Sequence, residues 1–156
     1  MIQRVRKALR TLLAHVRAGA LRRQVRNALA LAPRGFVPRD VLVLCDLSAR
    51  LRVEWRTRAV HPWDGRLPND RRSELFRDQA FRDTDEAIAR LFQAIPDVDA
   101  IDVRVLEPEP SGRTILDGTV ARRDVCAARS VASPGMRLRL MGIRCRVEGG
   151  RLQPLE

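Results

Sequence analysis

Residues 69–95 form the longest uninterrupted periodic segment of this chain and constrain its fold more than any other stretch. Apolar residues recur at positions 76, 80, 81, 87, 88, 91, 92 and 95, which is the spacing of one helical face. Asn69 or Asp70 can begin this helix, because a short side-chain oxygen accepts from the free N–H groups of a first helical turn. Pro96 ends it, since the residue before a proline is disfavoured in the helical conformation. We therefore expect this helix to lie at the centre of the core.

Strand patterns lie on both sides of that helix. Residues 41–45 form a continuous apolar run, typical of a strand buried on both faces, and residues 51–59 alternate apolar with charged side chains. Residues 101–106 and 114–121 predict a hairpin, and residues 124–130 a short helix. Residues 136–140 and 143–147 alternate apolar residues with arginines, and the slip between them predicts a bulge or tight turn at Met141–Gly142.

Strand pairs separated by a long helix favour an α+β fold, in which a largely antiparallel sheet of about five strands packs against one long central helix. Ahead of it, residues 1–34 predict a basic amphipathic helical segment, with one apolar stripe over residues 2–16 and a second, rotated stripe over residues 21–32. The change of phase at Gly19 predicts two helices or one kinked helix. The predicted organisation is a helical segment, 1–34, and a single α+β domain, 35–156.

The positive charge of the chain is concentrated at its start. Residues 1–39 hold ten of the 30 basic residues and no acidic one, so residues 40–156 hold 20 basic residues against 19 acidic ones. Such a segment either binds an anionic partner or forms the solvated side of helices that pack on their own sheet. The predicted anionic-partner site comprises Arg4, Arg6, Lys7, Arg10, Arg17, Arg22, Arg23 and Arg26.

Arginines on the charged side of the predicted strands indicate a second basic surface. If the strands share one buried face, these arginines share the outer face of the sheet, a typical footprint for nucleic acid. Glu54, Asp102 and Glu148 lie among them, however, and could pair with them across strands. The predicted secondary basic face comprises Arg52, Arg56, Arg58, Arg137 and Arg139.

Two acidic patterns raise the alternative of an enzyme. Asp46 at a strand end and Glu54 on the next strand could hold a hard metal ion, as in many metal-dependent nucleases, but Arg56 stands where those enzymes carry lysine. His61 with Asp64 or Asp70 could form an acid–base pair or a metal site.

Each of these patterns also has a structural reading. A strand-end aspartate in a turn and a surface ion pair account for the first pattern. In the second, Trp63 would cover the central helix while Asp64–Gly65 makes a turn. Arg77 falls on the apolar side of the central helix, so either this end of the helix is exposed or Arg77 pairs with a carboxylate, for which Glu74 is the local choice.

The cysteines, Cys45, Cys126 and Cys145, are odd in number and form no Cys-x-x-Cys motif. They predict reduced thiols in a cytoplasmic protein, and no histidine-and-carboxylate pattern supports a nucleophilic Cys126. No apolar run is long enough to cross a bilayer, and the N-terminal residues lack the pattern of a secretory signal.

The sequence thus favours a non-enzymatic binding or assembly domain that contacts its partner through the basic N-terminal segment. It contains no complete catalytic set and no cofactor or zinc motif. A protein partner ranks first, nucleic acid second, and a metal-dependent hydrolase centred on Asp46 and Glu54 third. A membrane surface is disfavoured, because residues 1–35 lack the Trp and Phe that anchor interfacial helices.

Overall fold

The computed structural model describes residues 19–29, 42–45, 50–108 and 110–156. Residues 19–29 are helical and are called α1. The elements that follow are β1 (Leu42–Cys45), β2 (Arg50–Arg56), a 3-10 helix (Pro62–Arg66), α2 (Asn69–Ala94), β3 (Ala100–Leu106), β4 (Thr114–Ala121), α3 (Arg122–Ala128), α4 (Pro134–Leu140), β5 (Arg144–Glu148) and β6 (Arg151–Gln153).

The described strands pair in sequence order from β1 to β6. Strands β2 and β3 run parallel because α2 returns the chain to the edge at which β2 began, and the other neighbouring pairs are antiparallel. The prediction of an α+β fold with a largely antiparallel sheet and a long helix is confirmed. The short strand β6, which the sequence analysis did not separate from its surroundings, ends the sheet.

Alternation along the strands decides which face of the sheet is buried. In β2, Leu51, Val53 and Trp55 are fully buried, while Arg50 and Arg52 are exposed. Strand β3 repeats the pattern in register with β2. The inner side chains form one hydrophobic cluster with buried residues of all four described helices. Each side chain of this size contributes roughly 1.5–3 kcal/mol when fully buried.

Helix α2 begins at Asn69, as predicted, but through a different contact. Pro68 precedes its first turn, and the side chain of Asn69 accepts from the guanidinium of Arg72 rather than from a backbone N–H. At the other end, the guanidinium of Arg122 donates to the carbonyls of residues 92, 95, 96 and 98 at 2.7–3.1 Å. It also lies 4.8 Å from the centroid of the Phe92 ring. Arg122 thus satisfies the carbonyl of Phe92 in the last turn of α2, which lacks an intrahelical donor, and carbonyls of the segment that follows the helix.

Residues 136–140 are helical, so the predicted strand there is wrong. Ser133 caps α4 by accepting from the N–H of Met136, and Pro134 occupies the first turn, where a proline needs no N–H. Leu138 is buried, but the alternating Met136 and Leu140 are 58% and 61% exposed. Of the bulge or tight turn predicted at Met141–Gly142, the structure contains the turn, which follows α4 and in which Gly142 has a φ of 91°.

Helix α1 is part of the core. Val25 and Leu29 are buried at 0% and 1% exposure, and Ala28 lies beside them in the same cluster. Neither α1 nor any other helix in the described ranges is both long and apolar enough to span a membrane. Part of the predicted segment 1–34 therefore packs on the sheet domain. The first predicted stripe, residues 2–16, lies outside the described residues, and the boundary at residue 34 stays a prediction.

Candidate anionic-partner surface

The exposed side of α1 carries three arginines. Arg22, Arg23 and Arg26 are exposed, while Val25 and Leu29 of the same helix are buried. The helical period alone does not separate the two groups, because residues 22 and 26 lie three residues before positions 25 and 29. Long arginine side chains can extend from the edge of a buried stripe into water. The other members of the predicted site, Arg4, Arg6, Lys7, Arg10 and Arg17, lie outside the described residues.

No carboxylate of the described residues neutralises these three arginines. None of their side chains makes a hydrogen bond or an ion pair in the described part of the chain. Arg22 and Arg26 are also one helical turn apart, a spacing at which like charges repel. The exposed side of α1 is therefore a concentrated positive surface on a helix that its own apolar residues hold in place.

The outer face of the sheet is also rich in arginine, but carboxylates lie among its arginines. Arg50 and Arg52 lie 3.5 and 3.9 Å from the carboxylate of Asp102, and Arg104 lies 3.6 Å from that of Glu54. The in-register pairing of β2 with β3 brings these groups together. The expected cross-strand pairing of Glu54 and Asp102 with arginines is thus present.

The same network continues onto β4 and β5. The hydroxyl of Thr119 donates to Asp102 at 2.6 Å, and Arg144 pairs with Asp117. Glu148 pairs with Arg146 of its own strand. Apart from Arg146 and Glu148, these side chains line a cleft of about 870 Å³ on the outer face of the sheet. The cleft is close to electrically balanced, because each arginine that lines it has a carboxylate within 4 Å.

The predicted secondary basic face does not form one surface. Arg52 lies on the outer face of the sheet, and Arg56 reaches the β3–β4 turn beside Gly112. Arg58 follows β2 and donates to both carboxylate oxygens of the buried Asp83, at 2.8 and 3.1 Å. Arg137 and Arg139 are on α4 rather than on a strand, because residues 136–140 form a helix.

Arg137 has a structural role, because it joins α4 to α2. Its guanidinium donates to both oxygens of Asp85 on α2, at 2.6–3.1 Å, and to the carbonyls of Val131 and Ala132. The hydrogen bonds with Asp85 raise the pKa of Arg137 above its ordinary value, against the effect of its partial burial. This side chain ties α4 and the turn before it to α2, so Arg137 is not available to a partner.

The predicted metal site of Asp46 and Glu54 stays a prediction, because Asp46 lies outside the described residues. Glu54 is the partner of Arg104. Within the ranges that the structure describes, no group of three or more His, Cys, Asp or Glu side chains could hold a metal ion. The predicted pair of His61 with an aspartate is not formed, since Asp70 pairs with Arg151.

His61 instead caps the 3-10 helix. Its Nδ1 accepts from the backbone N–H of Trp63 at 3.3 Å. Trp63 is 85% exposed, so the expectation that it covers the central helix is wrong. Arg77 pairs with the carboxylate of Asp78 and donates to the carbonyl of Gly150, rather than pairing with Glu74. Cys126 and Cys145 are free thiols.

Sequence analysis missed a second group of arginines, formed by Arg72, Arg113 and Arg151. They come from α2, from the β3–β4 turn and from β6, and they line one cleft of about 550 Å³. No spacing in the sequence signals this group, because only the pairing of the strands and the position of α2 bring the three residues together.

Comparison of the chain with family models, curated proteins and solved structures finds no match.

Proposed function

We propose that this protein is a non-enzymatic binding domain that holds an acidic partner protein through the exposed arginines of α1. The observation that supports this proposal is a contrast between the arginines of α1 and those of the outer sheet face in whether a carboxylate lies beside them. Arg22, Arg23 and Arg26 are exposed with no acidic partner in the described residues, whereas the arginines of the outer sheet face lie beside carboxylates.

A row of arginines on a fixed helix suits carboxylate recognition. The guanidinium presents planar N–H groups that match both oxygens of a carboxylate. Because Val25 and Leu29 anchor the helix in the core, little backbone freedom is lost when a partner binds. Exposed charges at such a surface act mainly on the association rate and on specificity, so binding should depend steeply on salt.

Nucleic acid is the competing partner. Phosphates would also pair with α1, but a long polyanion draws on a wider basic footprint. The outer sheet face offers little of that footprint, because Asp102, Glu54 and Asp117 already lie beside its arginines. This balance favours a compact acidic surface of a protein over a duplex.

The test compares two variants that lose the same charge. One is R22Q/R23Q/R26Q on α1, and its matched control is R50Q/R52Q/R144Q on the outer face of the sheet. Binding of the full chain to a glutamate-rich peptide and to a short DNA duplex is followed by fluorescence anisotropy between about 50 and about 200 mM salt. We expect the α1 variant to bind the peptide at least about tenfold more weakly, while the sheet variant stays within about twofold of the parent.

Equal losses in the two variants would show that net charge rather than the α1 surface holds the peptide, and would overturn the proposal. Tight binding of the duplex without binding of the peptide would also overturn it, in favour of the nucleic-acid alternative.

A further inference from the structure

A cleft between the first turns of α2, the β3–β4 turn and β6 is separate from both arginine surfaces described above. Its volume of about 550 Å³ lies in the range of small-molecule sites. We propose that this cleft, called the β6 cleft, binds a small organic anion with an apolar body.

The charged side chains that line the β6 cleft are unbalanced. Arg72, Arg113 and Arg151 line it, and Glu107 is the one carboxylate among its described lining residues. The side chain of Glu107 is 17% exposed, so its charge is partly shielded from water. The described lining residues therefore have an excess of positive charge, which Asp70 reduces from outside the lining by pairing with Arg151.

Arg72 is the least neutralised of the three arginines. Its guanidinium donates to the amide oxygen of Asn69, which carries no charge. Arg113 donates to Glu107 at 3.0 Å, and Arg151 pairs with the exposed Asp70. Each guanidinium has five N–H groups, so all three retain donors for a ligand. An anion entering the cleft would gain most from Arg72, since no carboxylate competes there.

The remaining wall of the cleft is apolar. Phe76 is half-buried on α2, and Leu152 is 8% exposed on β6. Val60 and Pro154 complete this side. A bare inorganic anion would leave the wall in contact with water, whereas a ligand with an aryl or alkyl body would cover it and gain about 25 cal/mol for each Å² of apolar surface removed from water. The two walls together define the ligand as an anionic head group on an apolar body.

Calorimetric titration of the full chain with phenyl phosphate tests the site. The R72Q variant should bind phenyl phosphate about tenfold more weakly than the parent, since it loses a charged donor to the head group. The matched control is R71Q. Arg71 is adjacent in sequence and its charge is the same, but it pairs with Glu74 and does not line the cleft. R71Q should stay within about twofold of the parent.

A second variant should gain affinity. E107Q keeps the size of the side chain and removes the one carboxylate of the cleft, so it releases Arg113 and should tighten phenyl phosphate binding by about threefold or more. E74Q changes the net charge equally outside the cleft and should have no such effect. Inorganic phosphate and benzyl alcohol, which each lack one half of the proposed ligand, should bind the parent more weakly than phenyl phosphate.

Three results would overturn the proposal: no binding of phenyl phosphate to the parent up to about 10 mM, equal losses in R72Q and R71Q, or no gain in E107Q relative to E74Q. The site is independent of α1, so R22Q/R23Q/R26Q should bind phenyl phosphate like the parent.

Discussion

The exposed side of α1 and the outer face of the sheet are both rich in arginine, and they differ in what lies beside each guanidinium. On the sheet, strand pairing brings Asp102 next to Arg50 and Arg52, and Glu54 next to Arg104. On α1, the exposed side contains arginines and no acid, and no other described element brings a carboxylate to them.

The number of arginines in a segment therefore does not determine how much positive charge is available to a binding partner. A β-sheet places residues from distant strands in contact, so acidic and basic side chains can neutralise one another across the ladder. An acid-free helix has no such possibility within itself. Paired arginines are therefore expected to act on stability, and unpaired ones on binding.

The largest effect is expected from the buried side of α1. Leu29→Ala should lower the free energy of unfolding by about 3 kcal/mol, because it removes a fully buried side chain and leaves a cavity. The control Arg26→Ala, on the exposed side of the same helix, should stay within about 0.5 kcal/mol of the parent. Urea denaturation measures both. Equally small effects would contradict the placement of α1 in the core.

The next largest change in stability is expected at Arg122, which donates to four backbone carbonyls. Arg122→Ala should cost about 2 kcal/mol, because the carbonyls at the end of α2 lose their donor. The neighbouring Arg123 is highly exposed and contacts only Asp124, so Arg123→Ala should be close to neutral. Thermal unfolding of the two variants compares them. Equal unfolding midpoints of the two variants would show that the hydrogen bonds of Arg122 do not contribute to stability.

A smaller effect separates the paired arginines of the helices from those of the sheet. Asp85→Asn should cost about 1–2 kcal/mol, since Arg137 is largely buried and loses the charge of its partner. Asp117→Asn should cost less than about 0.5 kcal/mol, because Arg144 is exposed to solvent. If chemical denaturation finds the larger loss in Asp117→Asn, the sheet pairs are more than surface contacts.

The smallest expected changes in the free energy of unfolding have opposite signs on the two surfaces. Arg22→Gln should stabilise the protein by about 0.2–0.5 kcal/mol at low salt, because it removes repulsion from Arg26 one turn away. Arg52→Gln should be neutral or slightly destabilising, since it removes an attraction to Asp102. Denaturation at low and high salt checks the signs, and the stabilisation should disappear as salt screens the charges. A stabilising effect of Arg52→Gln would contradict the expectation that Asp102 attracts Arg52 on the sheet face.

The fold was predictable where the periodic pattern is long. Helix α2 presents one apolar face over many turns, and β2 and β3 alternate over seven residues each, so helix and strand periods are clearly distinguished there. Residues 136–140 are too few for that distinction. Apolar residues at alternate positions fit a strand, and the signals of the helix, Ser133 and Pro134, lie before the pattern rather than within it.

The candidate sites were predictable only in part. The apolar stripe of α1 follows from the helical period, and the cross-strand pairs of Glu54 and Asp102 follow from neighbouring strands. The exposure of Arg22 and Arg26 does not, because both positions lie beside that stripe. The pairing of Arg137 with Asp85 joins residues 52 positions apart, and no local pattern records it. The lining of the β6 cleft likewise depends on the positions of elements that are distant in sequence.

The most direct measurement is a side-chain nitrogen NMR titration of the full chain with the glutamate-rich peptide. The guanidinium signals are assigned from the variants on each surface. The account predicts that the signals of Arg22, Arg23 and Arg26 shift together at low peptide concentration, while those of Arg50, Arg52 and Arg144 stay in place. Shifts on the sheet face with unchanged α1 signals would contradict the claim that unpaired arginines form the binding surface.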